Sequence, residues 1–200
     1  MGAVKGRSIE TISGNFLDVS DPNPDDIELV DIAWATSRIA RFAGHTVTEI
    51  PYVVGQHQIF VSNMLWETTA KKENDKTLAL FGLFHDAAEA WIGDIPSPIK
   101  HIPEFKKYVD QIEDGLLKLV FDKFVGRQPT EEEWGIVKYY DKKAQFIEAY
   151  SFMPSRGLGW SDKEKYAISL IDIQTFPEPQ TPILVFQNFM EQYNWLTSED

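Results

Sequence analysis

An all-α fold is predicted by three features of the sequence. Apolar residues recur at helical spacing along most of the chain, no run of alternating residues could build a sheet, and glycines and prolines divide the helical stretches. The first thirty residues read as irregular, with a short hairpin around Ser13-Gly14-Asn15 and turn chemistry in DPNPDD at Asp21–Asp26. Asp31 is expected to cap a first helix running to about Phe42, with Ile32, Ala35, Ile39 and Phe42 on one stripe and Gly44 as its stop. A second helix follows Pro51 and turns Ile59, Val61, Met64 and Leu65 inward. The third, Lys76–Ile92, is apolar on most sides, as a helix in the middle of a bundle is, and Gly93 closes it.

Pro96 and Pro98 keep Asp94–Lys100 from continuing that helix. A long amphipathic helix is expected over Pro103–Val125, using Phe105, Val109, Ile112, Leu116, Leu119 and Val120, with a turn at Gly126–Pro129. Thr130 followed by Glu131–Glu133 has the form of a capping box and starts a helix to about Phe152. A weaker helix is expected at Ser161–Ile171. The last, Pro182–Leu196, packs Leu184, Phe186, Phe189 and Met190. The expected organisation is one domain over residues 1–200, with its core at 31–152, an irregular N-terminal segment and a helical C-terminal extension.

The bulk composition narrows the function classes. With 200 residues, 43% hydrophobic and 25% charged, the chain suits a single globular domain. No apolar run approaches the ~20 residues of a membrane span, and the start lacks the apolar core of a secretory signal. Cysteine is absent, which excludes thiolate catalysis and sulfur-ligated metals. A cytoplasmic protein without a membrane partner is expected. The formal charge of −12 argues against nucleic acid as a partner, since such a surface repels a phosphate backbone. A small phosphorylated ligand remains open, because one ion and a few basic side chains invert the potential inside a pocket.

The chemistry concentrates around adjacent His85 and Asp86, late in the most apolar helix. Burying polar groups there without partners costs ~2–7 kcal/mol each in model transfers. A metal ion removes that cost by taking their lone pairs. Adjacent side chains on a helix diverge by about 100°, so the two would flank an ion that other helices must complete. His57, in VGQHQIF, is the available nitrogen donor. Asp141 is the best-placed late carboxylate, since Asp110, Asp114 and Asp122 lie among solvated charges. Two imidazoles and two carboxylates suit Mn, Co, Fe, Zn or Mg, and leave positions for a water of lowered pKa. Glu89 lies on the same side of the helix as His85 and Asp86, and Asp94 follows where the helix ends; both are candidates for proton transfer.

The order His57, His85-Asp86, Asp141 resembles the HD-domain phosphohydrolase superfamily. The string HDAAEAWIGDIPSPIK is similar to the branch of 5′-deoxynucleotidases and phage-type nucleotide triphosphohydrolases, and DIAWATSRIARFAGHT followed by VGQH is similar to the phage-type members. The likeness covers roughly Asp31–Asp141. It implies an HD-domain helical bundle around a buried site, with His57, His85, Asp86 and Asp141 as ligands of one divalent ion. It further implies that Glu89 and Asp94 support attack by water, and that Arg41, Phe42 and Lys100 contact the nucleotide. Trp34 stands where relatives often carry His, and Phe42 where some carry Trp; the second bears on base preference. The Gly-Tyr-Pro string of the cyclic-dinucleotide branch is absent.

The expected reaction is attack at the α-phosphorus of a deoxynucleotide. It would release nucleoside with phosphate from a monophosphate, or with tripolyphosphate from a triphosphate. The expected setting is a bacterial cell, with phage origin and homo-oligomerisation open. The competing expectations are a catalytically silent, metal-containing domain that binds a nucleotide or protein, and an alarmone hydrolase of the same superfamily.

Overall fold

The computed structural model describes residues 8–70, 75–160 and 176–198. Two short antiparallel strands, β1 (Ser8–Glu10) and β2 (Phe16–Asp18), form the hairpin expected around Ser13-Gly14-Asn15. All the larger elements are helical: α1 (Leu29–Thr36), α2 (Val54–Leu65), α3 (Thr77–Phe84), α4 (Glu89–Ile92), α5 (Ser97–Lys100), α6 (Pro103–Phe124), α7 (Glu131–Phe152) and α8 (Pro182–Thr197). The helix expected at Ser161–Ile171 lies outside the described residues.

Helix α1 departs from expectation at both ends. Its N-cap is Glu28, and Asp31 lies inside the first turn. Asp31 is buried and accepts hydrogen bonds from Ser13 N at 2.9 Å and Ser13 Oγ at 2.8 Å, pinning the hairpin to the helix. The helix stops at Thr36 rather than Phe42 because side chains capture its carbonyls. Thr36 Oγ1 donates to Ile32 O, while Ser37 Oγ and Arg38 Nη1 both donate to Trp34 O. The chain then runs extended, with Ala40 bridged to Val53, and turns sharply over Arg41–Gly44.

The third expected helix is two helices. Its chain tightens between α3 and α4, where the amides of Ala87, Glu89, Ala90 and Trp91 each bond the carbonyl three residues back. His85 Nδ1 donates to Gly82 O at 2.7 Å, competing for a carbonyl that a regular helix reserves for backbone. As expected, residues 94–100 do not continue that helix; Pro98 sits in the first turn of the separate one-turn helix α5, where a missing N–H costs nothing.

Helices α2 and α3 form the centre of the core, with α7 and α8 alongside. Gly82 lets their backbones approach: a Cβ there would stand 2.5 Å from Leu65 Cδ1 and 3.2 Å from Ser62 Cα. Helix α6 closes over α3 through Phe121 against Phe81 and Phe124 stacked on Phe84. Helix α7 begins in the expected capping box between Thr130 and Glu133. Phe105 and Leu184, expected inside, are exposed. Trp34 packs against Phe186 and Trp66 against Trp195, and Trp91 is buried.

Candidate metal centre and adjoining cavities

The α2–α3 contact brings His57 and His85 together, and α7 delivers Asp141 to the same point. One ligand atom from each of His57, His85, Asp86 and Asp141 lies within 4.8 Å of all the others. His57 Nε2 is 3.1 Å from His85 Nε2, 3.5 Å from Asp86 Oδ2 and 3.2 Å from Asp141 Oδ1. His85 Nε2 is 3.3 Å from Asp86 Oδ2 and 3.7 Å from Asp141 Oδ1. Both histidines are fully buried, and the two carboxylates are half-buried.

The tautomers show what this cluster needs. His85 Nδ1 faces a carbonyl, which only accepts, and His57 Nδ1 lies 2.6 Å from Glu148 Oε1. His57 and Arg41 outweigh burial and hold Glu148 ionised, below the usual carboxylate range. Both Nδ1 atoms therefore carry protons, and the two Nε2 atoms turn toward each other and toward two carboxylate oxygens, where a proton or a metal ion has to supply positive charge. Four electron-pair donors converge, and positive charge must stand among them. Burial alone would lower the His85 pKa, but Asp86 and then Asp141 raise it to about 10, a measure of how strongly the pocket favours a cation. Donor separations of 3.1–3.7 Å lie within or a few tenths of an ångström above the ~3.0–3.4 Å edges of a coordination shell with bonds near ~2.1 Å. The donor set fits one divalent ion.

Two cavities adjoin this region; His85 and Asp86 line the smaller, and Arg41 links Asp86 to the wall of the larger. The larger, about 740 Å³, is lined by Arg41, Phe42, Asp94, Lys142, Gln145 and Trp160, among others. The smaller, about 390 Å³, is lined by His85, Asp86, Glu89, Lys100, Glu113 and Lys138, among others. The structure thus assigns Arg41, Phe42 and Asp94 to one cavity and Glu89 and Lys100 to the other.

Arg41 is buried, with Nε 3.1 Å from Glu148 Oε2 and Nη1 3.5 Å from Asp86 Oδ2. Lys100 is ion-paired too, with Nζ 2.7 Å from Glu113 and 3.6 Å from Glu89. Phe42 sits half-buried, its ring 5.9 Å from Trp160. Burial, then Asp86 and Asp94, push the Glu89 carboxyl well up, and its Oε2 has no hydrogen-bond partner. Asp94 is raised as well, by burial first and Asp86 next, with Arg41 opposing. His45 and His101 are exposed on the larger cavity's wall, and His101 Nδ1 donates to Ser97 O at 2.6 Å.

Glu148, Lys142, Gln145 and Trp160 were not singled out by sequence. Glu148 is fully buried and also accepts from Tyr52 Oη at 3.2 Å. A signal for it existed: seven residues separate it from Asp141, two helical turns on one face, and Phe146, Ile147 and Ala149 around it are apolar.

A helical bundle with a buried His, His-Asp and late Asp converging on a cation position is the arrangement of an HD-domain protein. Within that class, the chain belongs to the YfbR-like 5′-deoxynucleotidase family, whose model matches residues 34–178. Relatives include YfdR of Escherichia coli, 36% identical over 106 residues covering 52% of this chain and 53% of YfdR. The 5′-deoxynucleotidase PBPRA2627 of Photobacterium profundum is 23% identical over 139 residues, 63% of this chain and 70% of that protein. The chain spans about half the length of the first curated relatives it matches. A solved structure, the cyanophage S-2L HD phosphohydrolase DatZ bound to dA and one catalytic Zn2+ ion, matches with a TM-score of 0.49 and 20% identity, over 84% of this chain and 95% of that one.

Proposed function

We propose that the protein is a metal-dependent phosphohydrolase that releases nucleoside from deoxynucleoside 5′-phosphates. The observation that carries this reading is the four-donor cluster, joined through the Arg41–Asp86 ion pair to the wall of a large cavity with aromatic faces. His57, His85, Asp86 and Asp141 would hold the ion, which supplies Lewis acidity and lowers the pKa of water bound to it. Phe42 and Trp160 offer faces for a base, and Gln145 a donor and an acceptor for its edge. Arg41, fixed by Glu148 and Asp86, presents charge at the border between cavity and cluster. Lys142 and Lys100 add cationic charge on either side.

Glu89 and Asp94 suit proton transfer because both carboxyls are raised and so can carry a proton that ordinary surface acids have lost. Glu89, with one oxygen unpartnered, and Asp94, on the wall of the larger cavity, are the two candidates to move protons to and from the reacting oxygens. The name of the family and of several relatives supports a 5′-deoxynucleoside monophosphate as substrate. Among the described residues no helix is long and apolar enough to cross a membrane.

The test is product analysis of the protein loaded with Mn, Co, Zn or Mg against deoxy- and ribonucleoside mono- and triphosphates. Nucleoside and phosphate from deoxynucleoside monophosphates, lost in Asp86→Ala, are expected. Tripolyphosphate would move the substrate to the triphosphates. Absence of turnover by a protein shown to retain metal would overturn the reading in favour of a silent binding domain.

A further inference from the structure

We propose that Glu148 is the positioning residue that couples the metal site to the substrate cavity, holding His57 with one carboxylate oxygen and Arg41 with the other. The inference rests on the metal-site reading above. Glu148 Oε1 accepts from His57 Nδ1 at 2.6 Å and from Tyr52 Oη at 3.2 Å, while Oε2 accepts from Arg41 Nε at 3.1 Å. A carboxylate is the one side-chain group of this size with acceptors on both prongs and no donor. Full burial of Glu148 at the end of α7 opposite α2 means that no water competes for these positions. Its negative charge is balanced by Arg41, which also reaches Asp86. The same residue therefore fixes the direction of an imidazole facing the ion and of a guanidinium facing the cavity.

The isosteric amide separates this role from simple packing. In Glu148→Gln one prong becomes an N–H donor. It cannot face Arg41, because a guanidinium never accepts a hydrogen bond, whereas an imidazole accepts by changing tautomer. The amide nitrogen therefore turns to His57 Nδ1, and His57 moves its proton to Nε2, the atom aimed at the ion. Metal affinity falls although shape and volume are kept. The loss expected for an outer-shell partner of a ligating histidine is about 10–100-fold.

The experiment measures Zn2+ and Mn2+ affinity by calorimetry for the whole protein and for Glu148→Gln, with circular dichroism to confirm the fold. Side-chain 15N spectra of the histidines accompany it. The wild-type protein should show His57 protonated at Nδ1 and, with zinc, ligated through Nε2; the variant should show the opposite tautomer and about 10–100-fold weaker binding. Equal affinity in the variant, or a wild-type His57 protonated at Nε2, overturns the proposal. Should the variant fail to fold, the wild-type spectra alone decide. A wild-type protein that binds neither ion would instead overturn the metal-site reading.

Discussion

His57 Nε2 and His85 Nε2 lie 3.1 Å apart, each ring having already given its Nδ1 proton to an acceptor on the protein. Two lone pairs at that distance are tolerable only with positive charge between or beside them. A divalent ion at about 100 times its dissociation constant stabilises the native state by ~2.7 kcal/mol, or roughly 5–10 °C for a chain of this size. Differential scanning fluorimetry with graded Mn or Zn should show that rise, and EDTA should reverse it. Asp86→Ala should show no response.

Gly82 sets how closely α2 and α3 approach, and with it the spacing of the two histidines. Helix propensity alone would favour Gly82→Ala by ~1 kcal/mol. Here the new methyl would meet Leu65 Cδ1 at 2.5 Å and the Ser62 backbone at 3.2 Å, and backbone cannot step aside. The variant should be destabilised by ~1–3 kcal/mol in urea unfolding. It should also bind the ion more weakly. A stabilised variant would show that the two helices separate freely.

The capping box at the start of α7 carries an acid-dependent contribution to stability. Arg127 first, then Thr130, hold the Glu133 pKa at about 2 despite partial burial. A carboxylate lowered in the folded state stabilises it above the unfolded value of ~4.3, and that contribution is lost as pH falls toward the folded value. The difference in urea midpoint between wild type and Glu133→Gln should be full near neutrality, shrink through this window and vanish below it. Thr130→Ala should cost ~0.5–2 kcal/mol near neutrality.

Ala43 has φ 50° and ψ 30°, and Phe42 before it φ 55° and ψ 30°, so two side-chain-bearing residues hold left-handed conformations beside the cavity. A β-branched residue fits that region poorly. Ala43→Val should lose ~1–2 kcal/mol and raise KM, because the turn aims Phe42. Ala43→Gly should be at least as stable as wild type. Thermal melts and steady-state kinetics on both variants test this.

The sequence made the long helices and the four-donor cluster legible for the same reason: both are written in spacing. The box at Thr130, the glycine at 126 and the stripe from Val109 to Val120 state where α6 and α7 begin and end. What escaped depends on side chains overriding spacing. Nothing in TSRIARFAG announces that Thr36, Ser37 and Arg38 take the carbonyls of α1, or that non-glycine residues turn left-handed. Continuity of apolar residues hid the break at His85, which the ring makes through Gly82 O. Glu148 was hidden by its type, since a glutamate in a helix ordinarily faces water, and only its three buried donors show otherwise. Lys100 matched a motif by position, yet its company of Glu89 and Glu113 is a matter of how α5 meets α6.

The cluster has a topological consequence. The chain has no cysteine and so no covalent tie between distant segments. His57 and His85, 28 residues apart, and Asp141 beyond them meet at one point on three helices. An ion held there closes two loops at once, the entropic work that a disulfide performs in a secreted domain. Chelation is then this protein's counterpart of reduction: a reversible cut in its crosslinking that leaves every peptide bond and every helix sequence as it was.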